Sequence, residues 1–166
     1  MNRLGFWTLT LLGASLLPTP LKALLGISWP MRLRRLLGLF AFSYAVLHLA
    51  TYLALDQFFD LAEIWKDLAK RKFIAVGMAA LLLLVPLAVT STDGWVRRLG
   101  YARWKRIHRL VYLAAILGVI HFVWRVKADL REPAIFAAAI GALLLARTVP
   151  WLRRRFGHPP SKGWSH

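Results

Sequence analysis

Cysteine is absent from the 166-residue chain, and carboxylates are scarce, with seven Asp and Glu against 23 Lys and Arg. Without thiols there is no disulfide, no thiolate metal site and no iron–sulfur cluster, which leaves histidine as the soft metal ligand. No acidic residue falls inside any of the long apolar runs, so carboxylates cannot complete a metal site there. The formal charge of +16 would suggest nucleic acid if the cations formed one face. They gather instead in short clusters between apolar segments, and no soluble surface remains that is large enough for a nucleic acid.

What the chain has in excess is apolar surface. It is 58% hydrophobic, with a mean hydropathy of +0.53, against roughly 45–50% apolar for soluble domains. Together with the uninterrupted apolar runs, this places it among membrane proteins. The expected fold is all-α: a polytopic helix bundle with about five transmembrane helices. Residues 1–155 form one membrane domain, and 156–166 a disordered cytoplasmic tail whose His158 and His166 are bystanders.

The five spans read as Leu4–Leu25, Leu36–Leu55, Phe73–Thr90, Ile107–Trp124 and Pro133–Val149, each near the length that crosses a bilayer at about 1.5 Å per residue. Pro18 and Pro20 should end the first regular helix early. Its apolar run closes on Leu17-Pro18-Thr19-Pro20 without a small-residue cleavage pattern, so it is expected to be a retained helix and not a signal peptide. Pro133 suits a first turn and Pro150 a stop.

Alternate sides of these spans collect fifteen and eight of the basic residues. By the excess of Lys and Arg on cytoplasmic loops, the richer side is cytoplasmic, with the N-terminus out and the C-terminus in. The segment from Asp56 to Lys72 mixes four acids and four bases with Phe58, Phe59, Leu61, Ile64 and Trp65. It reads either as an amphipathic helix on the outer interface or as a solvated connector.

Three histidines, His48, His108 and His121, lie in the apolar stretches, where an ionisable group is a functional-site candidate by default. The second and fourth spans run in the same direction. His48 and His121 therefore sit at one depth, roughly 18–21 Å from the cytoplasmic edge, where they could supply both axial nitrogens of one haem. Such an iron would have no open position and would pass single electrons.

His108 enters roughly 20 Å nearer the cytoplasm and cannot share that iron. The residues placed to face it are Arg34 and Arg35. Their guanidiniums do not ligate iron but can pair with a propionate or phosphate. The inner site is thus a haem with one protein ligand, another cofactor, or vacant, and His108 serves either ligation or a simple interfacial role. The competing readings for all three are hydrogen bonding between helices, and zinc, for which two imidazoles supply only half a tetrahedral site.

The blocks Arg34–Leu39, Leu47-His48-Leu49-Ala50-Thr51-Tyr52, Leu87–Thr92, Trp104–Tyr112 and His121-Phe122-Val123-Trp124-Arg125-Val126-Lys127 carry a resemblance. Over roughly Leu9 to Arg147, the chain resembles the haem-binding membrane subunits of bacterial periplasmic methionine-sulfoxide reductase systems, within the ferric-reductase-like transmembrane superfamily. The resemblance implies b-type haem, one or two, and flavin mononucleotide (FMN), with ligand histidines at His48, His108 and His121. It also implies an inner-membrane electron-transfer subunit with no substrate chemistry of its own. Electrons would come from the quinone pool or a cytoplasmic flavin reductase. They would go to a periplasmic molybdopterin enzyme that reduces methionine sulfoxide in oxidised proteins. Fuller members carry one more transmembrane helix ahead of the first span here. The tail is too short for a nucleotide-binding domain, so the donor must be a separate molecule. The alternatives are a ferric-reductase-like or quinone-linked cytochrome b with another acceptor, and a non-redox membrane scaffold.

Overall fold

The computed structural model describes residues 2–126 and 129–156, and these fold into helices joined by short turns. The expected tail beyond Phe156, with His158 and His166, lies outside the described residues. Pro18 acts where the sequence places it. Helix α1 (Asn2–Leu16) stops before Pro18, and α2 (Pro18–Leu25) restarts on the proline, whose missing N–H is harmless in a first turn. Gly26 then closes α2 with φ 71°, a left-handed conformation that a side chain would strain.

Helix α3 (Leu33–Thr51) continues into a wider π turn at Tyr52–Asp56. After the short α4 (Leu61–Lys70), α5 (Lys72–Val89) returns across the bundle. Two short helices, α6 (Asp93–Leu99) and α7 (Tyr101–Ile107), precede α8 (Leu110–Arg125), and α9 (Arg131–Phe156) ends the described chain. Four segments among the described residues are long and apolar enough to cross a membrane: Arg3–Leu25, Trp29–Asp56, Lys72–Val89 and Tyr101–Arg125. The fifth expected span is helical as well, inside α9. Pro150 does not stop it, since the helix runs on to Phe156. Proline removes one N–H and crowds one carbonyl, and a helix that keeps its other bonds can absorb that loss, as membrane helices often do.

Helix α1 packs along α3 and α5 along α8, and these pairs join through α3–α5 and α1–α8, with α9 against α8 and α1. The core is built from Leu9, Leu12 and Leu16 of α1, Leu84 and Leu87 of α5, and Ile140 of α9. They close on Ala41, Ala114 and Ala115, each 0–1% exposed. Small residues at such points let membrane helices approach closely.

Arg147 ties α9 to α8 and to the junction of α1 with α2. Its guanidinium donates to the Tyr112 hydroxyl, to Thr19 Oγ1 at 2.5 Å and to the Leu16 carbonyl at 3.4 Å. It also lies 4.7 Å over the Tyr112 ring. No carboxylate pairs with it among the described ion pairs, so neutral acceptors and a π face hold the charge.

The segment after α3 is under backbone strain. Phe58 and Phe59 have φ of 47° and 60°, a region that costs a non-glycine residue about 1–3 kcal/mol. Asp60 then caps α4, accepting from the N–H groups of Ala62 (2.9 Å) and Glu63 (3.2 Å).

Because Ala115 is fully buried in the core, Ala115→Leu should overpack α8 against its neighbours and destabilise the solubilised protein by about 1–3 kcal/mol. Leu82→Ala, at a position 61% exposed, should stay within about 0.5 kcal/mol. Thermal unfolding in detergent compares them, and equal stabilities would contradict the packing described.

Candidate functional site

Helices α1, α3, α5 and α8 enclose a cavity of about 370 Å³, within the range of pockets that take small-molecule cofactors. Its walls are mainly aliphatic, and His48 of α3 and His121 of α8 project into it from opposite pairs of helices. Their ring centroids are 6.3 Å apart with the planes 79° to one another. Two imidazoles bound to a common metal at about 2.0–2.1 Å per bond have ring centres roughly 6 Å apart. The residues present therefore fit a metal held between two histidines.

The His121 ring is oriented by its surroundings. Its Nδ1 lies 2.7 Å from the Phe73 carbonyl oxygen. A carbonyl can only accept, so Nδ1 carries the proton and Nε2 keeps a lone pair for a metal. The approach needs Gly77, one turn after Phe73 on α5. A Cβ there would lie 2.5 Å from Nδ1 and 2.8 Å from Cε1 of His121. Gly5 of α1 stands beside His48 in a looser version of the same arrangement, with a Cβ meeting the ring at 3.5 Å.

One end of the cavity is polar. Tyr52, Asp56, Arg71 and Arg125 line it, all at the helix ends next to α4. Asp67 of α4, only 8% exposed, organises this rim. It accepts from Gln57 Nε2 (2.8 Å) and the Tyr52 hydroxyl (3.2 Å), and pairs with Arg71 Nε at 3.1 Å. Arg125 follows His121 by one turn and makes no ion pair with a described residue.

The other expected site residues lie elsewhere. His108 sits at the break between α7 and α8, outside the cavity lining. Its ring stacks on Trp104 with centroids 4.0 Å apart, and Nδ1 lies 3.1 Å from the Trp104 carbonyl. Nε2 is buried and makes no hydrogen bond of good geometry among the described residues, although the Leu87 backbone is near enough to act on it. Arg34 is close enough to His108 and Arg147 to act on both electrostatically. Arg35 instead points its guanidinium to Asp93 at 2.6 Å, and both are exposed. No group of three His, Cys, Asp or Glu able to hold a metal occurs among the described residues, so the cavity offers an imidazole pair and not a carboxylate-completed site.

Residue-by-residue reading missed Phe73, Gly77, Arg71 and Arg125. A glycine inside an apolar span was the one available signal, since it marks a close approach. The arginines were counted only as loop charges.

Residues 4–119 match the family described as ferric reductase like transmembrane component. The protein-methionine-sulfoxide reductase heme-binding subunit MsrQ of Rhodospirillum rubrum is 60% identical over 161 residues, covering 96% of this chain and 77% of that protein. The proteins of that name from Herminiimonas arsenicoxydans and Caulobacter vibrioides are each 50% identical. The former covers 90% of this chain and 70% of its own length, the latter 93% and 73%. The chain therefore belongs to the ferric reductase like transmembrane family and, within it, to the MsrQ heme-binding subunits.

Proposed function

We propose that this chain is a haem b electron-transfer subunit of the bacterial inner membrane. It passes electrons from the quinone pool or a cytoplasmic flavin reductase to a periplasmic molybdopterin methionine-sulfoxide reductase and so supports repair of oxidised proteins. Residues 1–155 form the haem-binding membrane domain, oriented with the N-terminus out and the C-terminus in by the excess of basic residues on the inner loops. The observation that carries the reading is the His48–His121 pair at 6.3 Å inside an apolar cavity. The relatives' name as heme-binding subunits agrees with it.

His48 and His121 would hold the iron. A haem bound there would supply one-electron transfer. The protein's part is orientation and environment. The Phe73 carbonyl holds the His121 ring in the ligating tautomer and raises its basicity. Gly77 leaves the space that the ring occupies. The aliphatic walls would keep water from the metal, which is one way proteins set a redox potential. Arg71 and Arg125, at the polar end of the cavity, would pair with carboxylates of the bound group, since an ionised carboxylate needs such partners at a membrane boundary. His108, with Arg34 beside it, belongs to a separate inner site. There it would bind a second haem or assist FMN, which the family resemblance implies. Arg35 is the less favoured contributor because Asp93 already meets its charge.

Reduced-minus-oxidised spectra of the purified chain, with haem and flavin quantitation, test this directly. His48→Ala and His121→Ala should each abolish the same haem signal, whereas His108→Ala should leave that signal largely intact. Full haem with an unchanged spectrum in either of the first two variants would refute the pairing. Membranes that also contain the molybdoenzyme should reduce methionine sulfoxide only when this chain is present. Turnover independent of the chain would favour another acceptor.

Gly77→Ala should weaken haem binding by about 10–100-fold, the usual cost of disturbing a metal's outer shell. Haem titration of the apoprotein measures it. Unaltered affinity would show that the contact between His121 and α5 is not needed.

A further inference from the structure

We propose that α4 and the strained turn before it lie in the headgroup region of the lipid bilayer, with Leu61 and Trp65 facing the acyl chains. At about 100° per residue, its side chains divide into three contiguous sectors. Ile64, Asp67 and Leu68 face the bundle, with Asp67 buried and the other two half-buried. Leu61, Ala62, Trp65 and Ala69 form a second sector that is apolar and exposed, and Glu63, Lys66 and Lys70 a third that is charged and exposed. A soluble helix needs two sectors, one for the core and one for water. The third requires an apolar medium alongside the protein.

The connectivity supplies that medium. The segment Trp29–Asp56, long and apolar enough to cross a membrane, ends four residues before the Asp60 cap. The next such segment, Lys72–Val89, begins two residues after α4 ends. Both tethers are too short for α4 to leave the boundary between lipid and water. The strained backbone at Phe58 and Phe59 directs two rings outward, 81% and 67% exposed, on the approach to the same sector. Aromatic side chains are favoured at this depth, and an apolar helix face with charges opposite it is the pattern of a helix lying in the interface. The bundle-facing sector carries Asp67, which holds Tyr52, Gln57 and Arg71 at the cavity rim. A helix seated on lipid thus positions the rim groups.

The absence of cysteine allows one label per molecule. Single variants Leu61→Cys, Trp65→Cys, Glu63→Cys and Lys66→Cys of the full chain, spin-labelled and reconstituted in phosphatidylcholine–phosphatidylglycerol vesicles, report collisions with oxygen and with a water-soluble nickel chelate. Labels at 61 and 65 should collide several-fold more with oxygen, and those at 63 and 66 several-fold more with nickel. Equal nickel access at all four positions would overturn the proposal. Nickel access at 61 and 65 that vanishes only on adding the molybdoenzyme would overturn it too, by assigning the face to a protein partner. An unlabelled comparison guards against perturbation by the labels. Phospholipids brominated high on the acyl chain should quench the wild type more than Trp65→Phe, and identical quenching would count against lipid contact.

Discussion

The imidazole of His121 is fixed by one hydrogen bond, from Nδ1 to the Phe73 carbonyl, across a gap that a side chain at position 77 would close. In an apolar interior such a bond is strong, because no water competes for either partner. It decides which ring nitrogen carries the proton and which way the other faces. The His48 ring then stands at the distance two ligands of one metal require. The rest of the bundle keeps these partners in register. Helix α5 must run close to α8 for the carbonyl to reach the ring, and Gly77 permits that approach.

Much of this arrangement could be read from residue order. The spans follow from apolar length alone, and the early end of α1 follows from Pro18 and Pro20. The common depth of His48 and His121 follows from counting residues along two parallel helices. The limits are equally physical. A lone proline usually ends a helix in water, which makes Pro150 look like a stop, yet α9 passes through it. The Phe73 acceptor has no side-chain signature, since every residue carries a carbonyl. Arg71 and Arg125 reach the cavity only through the path of α4 and the end of α8, which no local pattern specifies. Arg35 looked available until α6 brought Asp93 beside it.

The two ends of the histidine-bearing region differ in chemistry. Near α4, Asp67 gathers a tyrosine, a glutamine and an arginine around one carboxylate. Near the α7–α8 break, His108 and Arg147 stand within electrostatic reach of Arg34, and none of the three is joined to a carboxylate in a described ion pair. Anions will therefore be drawn to the second end more strongly than to the first, whatever they are.

The Arg147 clasp has a consequence for the order of assembly. Its acceptors on Leu16 and Thr19 lie 131 and 128 residues earlier in the chain, so it is among the most distant contacts the polypeptide makes. Contacts that close such long loops form after local ones. The hairpin-like neighbours come together first, and the first helices wait in the bilayer with polar groups unmet. Docking of α9 satisfies those acceptors and joins it to α1, so this contact closes the bundle after the neighbouring helices have paired.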